Sequence, residues 1–87
     1  MWPVGGNVKI LLFARIRDQL GIDSVDIDKP STVAELRLLM QRQFPDHSAL
    51  FEDGFSLVAV NQEIETTGAR RLRESDEVAF LPPMTGG

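Results

Sequence analysis

Few residues in this sequence could do chemistry, and fewer stand at a spacing that chemistry uses. His47 is the single histidine; it follows Pro45–Asp46 in a loop-like stretch with no acid or nucleophile assignable to it, so it reads as a surface residue. Asp23, Asp26 and Asp28 cluster but lack the spacing, turn glycine and closing glutamate of a calcium loop, and read as a solvated strand face. Arg70, Arg71 and Arg73 form the one basic cluster, read as a solvated loop with snorkelling side chains; contact with an acidic partner is the alternative. The sequence has no cysteine, which removes disulfides, thiolate zinc sites, iron–sulfur ligation and a cysteine nucleophile together, and fits a reducing cytoplasm.

What is left is the stretch FLPPMTGG, Phe80–Gly87. The α-carboxyl group of Gly87, with an ordinary pKa of about 3.3–3.7, is ionised at neutral pH. It can attack an activated phosphate such as the α-phosphate of ATP, giving a mixed anhydride open to a sulfur or amine nucleophile. That chemistry belongs inside another protein's site, and the tail has the reach for it: Pro82 to Gly87 span about 20 Å when extended. Pro82–Pro83 hold the first part near polyproline geometry. Gly86–Gly87 carry no Cβ, so backbone and carboxylate can enter a narrow channel. A frayed terminus is the competing explanation.

The rest of the chain must position that group. At 87 residues it is one small domain, too small for a deep cleft to be the default. Hydrophobic residues make up 43% and charged residues 25%, the balance of an ordinary soluble globular protein. Nine basic against thirteen acidic residues leave a formal charge of −4, which argues against nucleic acid as a partner. No apolar run approaches the roughly 20 residues needed to span a bilayer, and MWPVGGN lacks the basic region and long apolar core of a signal peptide.

Val8–Ala14 alternates as a strand, with Val8, Ile10, Leu12 and Ala14 on one face and Lys9, Leu11, Phe13 and Arg15 on the other. Apolar residues on both faces fit either a central strand covered on both sides or an exposed Leu11–Phe13 patch kept for a partner. A polar link with Gly21 leads to a second strand, Ser24–Asp28. Thr32 and Glu35 form a capping box for a helix whose stripe is Val33, Leu36, Met40 and Phe44. Pro45 ends it, a short helical turn brings Leu50 and Phe51 to the core, and Ser56–Val60 is the next strand. Asn61–Gln62 turns into a short strand containing Ile64, Leu72 anchors the following loop, and Glu77–Leu81 is the last strand. Hairpin, crossover helix and later strands predict an α+β, β-grasp (ubiquitin-like) mixed sheet with one main helix across one face, its first and last strands parallel and adjacent at the centre. The domain occupies 8–81, between a loose N-terminal extension (1–7) and a flexible reactive tail (82–87).

VKILLFARIRDQLG (Val8–Gly21), AVNQE (Ala59–Glu63) and DEVAFLPPMTGG (Asp76–Gly87) resemble the small subunit of molybdopterin synthase, the MoaD family of sulfur carriers. The resemblance covers Val8–Gly87, and its terminal block is the most specific part. The N-terminal extension is extra. The resemblance implies that a MoeB-like adenylyltransferase uses ATP to adenylate Gly87 and that a sulfur donor converts the acyl-adenylate to a thiocarboxylate. The charged carrier would then dock on a MoaE-like large subunit in a heterotetramer and deliver sulfur to cyclic pyranopterin monophosphate. The chain alone would be non-catalytic, with no cofactor of its own. The resemblance further implies that Phe13, Ile64 and Leu81 contact the large subunit, that Pro82, Pro83, Met84 and Thr85 extend that partner-binding set along the tail, and that Gly86 and Gly87 enter the partner's pocket. A ThiS-like carrier for the thiamine thiazole, a ubiquitin-like modifier of lysines and a β-grasp binding module with an inert tail are the competing readings.

Overall fold

The computed structural model describes residues 7–28 and 30–83. Along the chain run β1 (Asn7–Leu12), α1 (Ala14–Leu20), β2 (Ser24–Asp28), α2 (Val33–Gln43), a 3-10 helix (Pro45–Phe51), β3 (Leu57–Val60), β4 (Glu63–Glu65) and β5 (Val78–Leu81). Among the described residues the strands form one five-stranded sheet in the order β2-β1-β5-β3-β4. β1 and β5 are parallel neighbours and the other pairs are antiparallel. The expected pairing of first and last strands is therefore present, with β5 at the centre. Asn7, assigned to the extension from the sequence, is the first residue of β1 and pairs with Asp28.

One face of the sheet makes the core. Val8, Ile10 and Leu12 of β1, Val58 and Val60 of β3, and Val78 and Phe80 of β5 are buried against Val33, Leu36 and Met40 of α2. Phe51, from the 3-10 helix, is fully buried and meets the Phe80 ring edge-on, with centroids 5.0 Å apart, an arrangement the ring quadrupoles favour. Leu50 and Leu72 are buried beside them, as the sequence predicted.

The start of α2 explains why the long loop before β5 stays in place. The first backbone N–H groups of a helix have no partner within it. Here Val33 donates to the Arg70 carbonyl at 3.0 Å, Ala34 to that of Gly68 at 3.0 Å, and Glu35 to the Thr32 hydroxyl at 3.1 Å. The loop is thus stitched across the helix end. Half of the predicted capping box differs: the Glu35 carboxylate reaches back to the Ser31 N–H (2.6 Å) and hydroxyl (2.8 Å), one residue before Thr32. Those two hydrogen bonds, the backbone one first, hold the Glu35 carboxyl below its ordinary pKa.

The stretch after β1 departs most from the sequence reading. β1 stops at Leu12, Phe13 becomes the extended residue preceding α1, and Arg15–Leu20, read as a polar link, is helical. Ile16 is the one buried residue of that helix, with Leu20 packed partly behind it. Seven residues carrying one buried side chain are too few to display a period. The helix ends at Gly21, whose φ of 76° is left-handed and whose N–H donates to the Arg17 carbonyl at 2.8 Å, the glycine stop expected of a helix. Ala14, at φ 53°, makes the switch from strand to helix without a loop.

Candidate functional site

The second face of the sheet carries no helix among the described residues, and its side chains decide what it can do. The strand registers place Leu11 opposite Ala79, Ala79 opposite Ala59, and Ala59 opposite Ile64. One row across four strands therefore reads Leu, Ala, Ala, Ile. Two small residues in the middle leave a depression between two large ones, because side chains on one face of a sheet stand side by side.

The result is a concavity of about 330 Å³ lined by Leu11, Phe13, Ala59, Gln62, Ile64, Glu77, Ala79 and Leu81. Ala59 and Ala79 form its floor, at 7% and 9% exposure. Phe13 and Leu81 stand at one end, joined through the Phe13 N–H, which donates to the Phe80 carbonyl at 3.2 Å. Phe13 is 41% exposed and Ile64 48%, while Leu81 is half-buried. Of the predicted partner-binding residues on the described part of the chain, Phe13, Ile64 and Leu81 thus converge on one apolar hollow, while Pro82 and Pro83 do not line it. Of Leu11 and Phe13, Phe13 is exposed and Leu11 half-buried, on a face left open among the described residues. Phe13 reaches it from the extended position between the end of β1 and the start of α1.

The far end of the hollow is polar and held in place by hydrogen bonds. Asn61 and Gln62, the turn between β3 and β4, have φ of 53° and 71°, the pair of left-handed residues that a tight hairpin turn requires. The Asn61 N–H donates to the Glu77 carbonyl at 2.7 Å, and the Glu77 N–H donates to Asn61 Oδ1 at 2.9 Å. Asn61 Nδ2 donates to Asp76 Oδ1 at 3.0 Å, and the Arg73 N–H donates to Asp76 Oδ2 at 2.8 Å. The Arg73 bond is the largest influence holding the Asp76 carboxyl below its ordinary pKa; burial, the next largest, opposes it, and the Asn61 hydrogen bond and the charges of Arg70 and Arg73 add to the lowering. This ring ties the β3–β4 turn to the start of β5 and so fixes the hollow's length. Sequence reading named Asn61–Gln62 as a turn but not as part of the site. The turn residues and the outward alanines are each visible in the sequence, but what joins them into one site is the register of β3 on β5.

From the hollow, β5 leads directly into the tail. Leu81 is its last residue, Pro82 is half-buried and Pro83 exposed. Met84, Thr85, Gly86 and Gly87, which the sequence reading placed in the tail, lie outside the described residues. Among the described residues no cluster of His, Asp or Glu could hold a metal ion, and His47 sits at a kink within Pro45–Phe51, where its φ of −130° and ψ of 27° are not helical; no residue of that stretch lines the hollow.

A mixed five-stranded sheet gripping one long helix, with an open apolar face and a strand running out into a Pro-Pro tail, defines the ubiquitin-like β-grasp class. Solved structures agree: small archaeal modifier protein 1 from Methanosarcina acetivorans superimposes with a TM-score of 0.75 at 21% identity, over 95% of this chain and 98% of that one. Subunits 1 and 2 of molybdopterin-converting factor from Helicobacter pylori, solved as a complex, give a chain that superimposes at 0.67 and 22% identity, over 93% and 99%. At those identities the likeness shows the fold. Sequence goes further. The ThiS family matches residues 10–87, and the chain belongs to that family. It is 42% identical over 82 residues to the molybdopterin synthase sulfur carrier subunit of Escherichia coli strain K12, covering 92% of this chain and 99% of that protein. It is 40% identical over 88 residues to the protein of the same name from Dictyostelium discoideum, covering 97% and 100%.

Proposed function

We propose that this chain is the sulfur-carrier subunit of a molybdopterin synthase. The observation that carries the reading is the convergence of Phe13, Ile64 and Leu81 on one hollow at the strand end from which the tail departs. A carrier must bind a partner and deliver its terminus into that partner's site, and here Leu81, a lining residue of the docking face, is the last strand residue before the tail. The names of the relatives from Escherichia coli and Dictyostelium discoideum supply the cargo and the pathway.

In the proposed cycle the chain contributes a carboxylate, a reach and a grip. The Gly87 carboxylate attacks the α-phosphate of ATP in the site of a MoeB-like adenylyltransferase, with pyrophosphate leaving. A sulfur donor displaces AMP and leaves a thiocarboxylate. The carrier then seats its apolar hollow on a MoaE-like large subunit, in a heterotetramer, and Gly86–Gly87 enter that subunit's pocket. There the sulfur passes to cyclic pyranopterin monophosphate. ATP is consumed by the partner, and this chain holds no cofactor of its own. A cytoplasmic setting fits a sequence without cysteine, and among the described residues no helix is long and apolar enough to cross a membrane.

Adding one residue after Gly87 tests the reading, because it moves the reactive group while leaving the domain untouched. The extended protein should fold normally and accept no sulfur from the adenylyltransferase and donor. Charging at the unmodified rate would mean that the Gly87 carboxylate is not the acceptor.

A further inference from the structure

The apolar hollow is closed at one end by two polar side chains whose presence the packing does not explain. Glu77 lines it, yet its carboxylate has no hydrogen bond or ion pair among the described residues. Its backbone, by contrast, is held on both sides by Asn61, at 2.7 and 2.9 Å. The side chain is therefore anchored at its root and unpaired at its tip. Gln62 lines the same end at φ 71°, a position of the turn where glycine is the favoured residue. A side chain there costs stability, of a kind that survives where a site uses it. Burying the hollow against a wholly apolar partner would strand the Glu77 charge, which is strongly unfavourable.

The geometry points to Glu77 and Gln62 as the specificity end of the docking face: together they receive a cationic side chain, an arginine or lysine, that projects from the edge of the partner's apolar patch. This rests on the docking reading above and adds the partner's chemistry to it. Carboxylate and amide oxygens are both acceptors, and a guanidinium presents donors in a fork suited to two acceptors at once. Both side chains are exposed in the free chain, and a partner covering the hollow would displace water from around the pair, which strengthens it relative to an exposed ion pair. Register follows as well. The cation would meet the end of the hollow opposite Leu81, so the tail can leave the interface in one direction.

The test is titration calorimetry of the full chain against the cognate large subunit at low and high salt, comparing wild type with Glu77→Gln, Glu77→Arg, Gln62→Gly and Ile64→Ala. Glu77→Gln should weaken binding about three- to tenfold and reduce its salt dependence, and Glu77→Arg should weaken it further. Gln62→Gly should weaken binding while raising the melting temperature, an outcome a merely structural glutamine would not give. Because the Glu77 side chain is exposed and outside the Asn61–Asp76 ring, its variants should fold as wild type does. If the Glu77 and Gln62 variants bind like wild type while Ile64→Ala loses affinity, the cation contact is wrong and the docking reading stands. If every variant binds like wild type, both fail. Self-association of the free chain that Glu77→Arg abolishes would replace the proposed partner with a second copy and overturn the inference.

Discussion

Replacing Phe13 and Ile64 together by alanine should weaken docking about 30-fold. Phe13 leaves 41% of its surface uncovered and Ile64 48%. Fully burying such a side chain contributes about 1.5–3 kcal/mol, so the uncovered part of each holds about 1 kcal/mol for a partner to collect. Each 1.4 kcal/mol is a factor of ten in affinity, so about 2 kcal/mol in total gives about 30-fold. The covered parts contribute to the fold by similar amounts, so the double variant should also lose about 2 kcal/mol of stability at most. Phe13 uses its backbone to bond Phe80 and to open α1, and alanine keeps both. The assay is calorimetric titration against the large subunit, well below the melting temperature, with amide spectra confirming an intact fold. An affinity within twofold of wild type in a folded variant would refute the assignment of the hollow as the docking face.

Two further outcomes follow from the same geometry. Ala79→Leu fills the floor of the hollow from its centre; binding to the large subunit should fall at least about tenfold while stability shifts by less than about 1 kcal/mol, measured by denaturant unfolding. Asp76→Asn concerns pH. The folded-state pKa of Asp76 lies below its unfolded value of about 3.9, so its contribution is complete above the unfolded value and is lost as pH falls through the folded one. The variant should be less stable than wild type at neutral pH and should converge with it in acid, followed as unfolding midpoints across pH.

The strands, the long helix and their order were legible because the elements carry a period or a boundary residue: Thr32 before α2, Pro45 after it, Asn61–Gln62 after β3. The parallel pairing of β1 with β5 followed from connection rules alone. α1 was not legible, since Ile16 is its one buried residue, and its glycine stop at Gly21 resembled a turn. The contact residues Phe13, Ile64 and Leu81 were placed by family resemblance, with outward parity on the last strand and on the residue after β1 in agreement. The hollow itself was hidden, because its floor depends on the register that sets Ala59 beside Ala79. No single strand contains that information. The ring of Asn61, Asp76 and Glu77 was hidden for the same reason: its members are 15 and 16 positions apart in sequence.

The central claim is that the Gly87 carboxylate carries sulfur. Its most direct test is the intact mass of the chain after incubation with ATP, the adenylyltransferase and a sulfur donor. The account predicts the increase of one oxygen-to-sulfur exchange, located by fragmentation to Gly87 and dependent on ATP. An unchanged mass, with turnover of ATP by the adenylyltransferase verified in the same mixture, would contradict it.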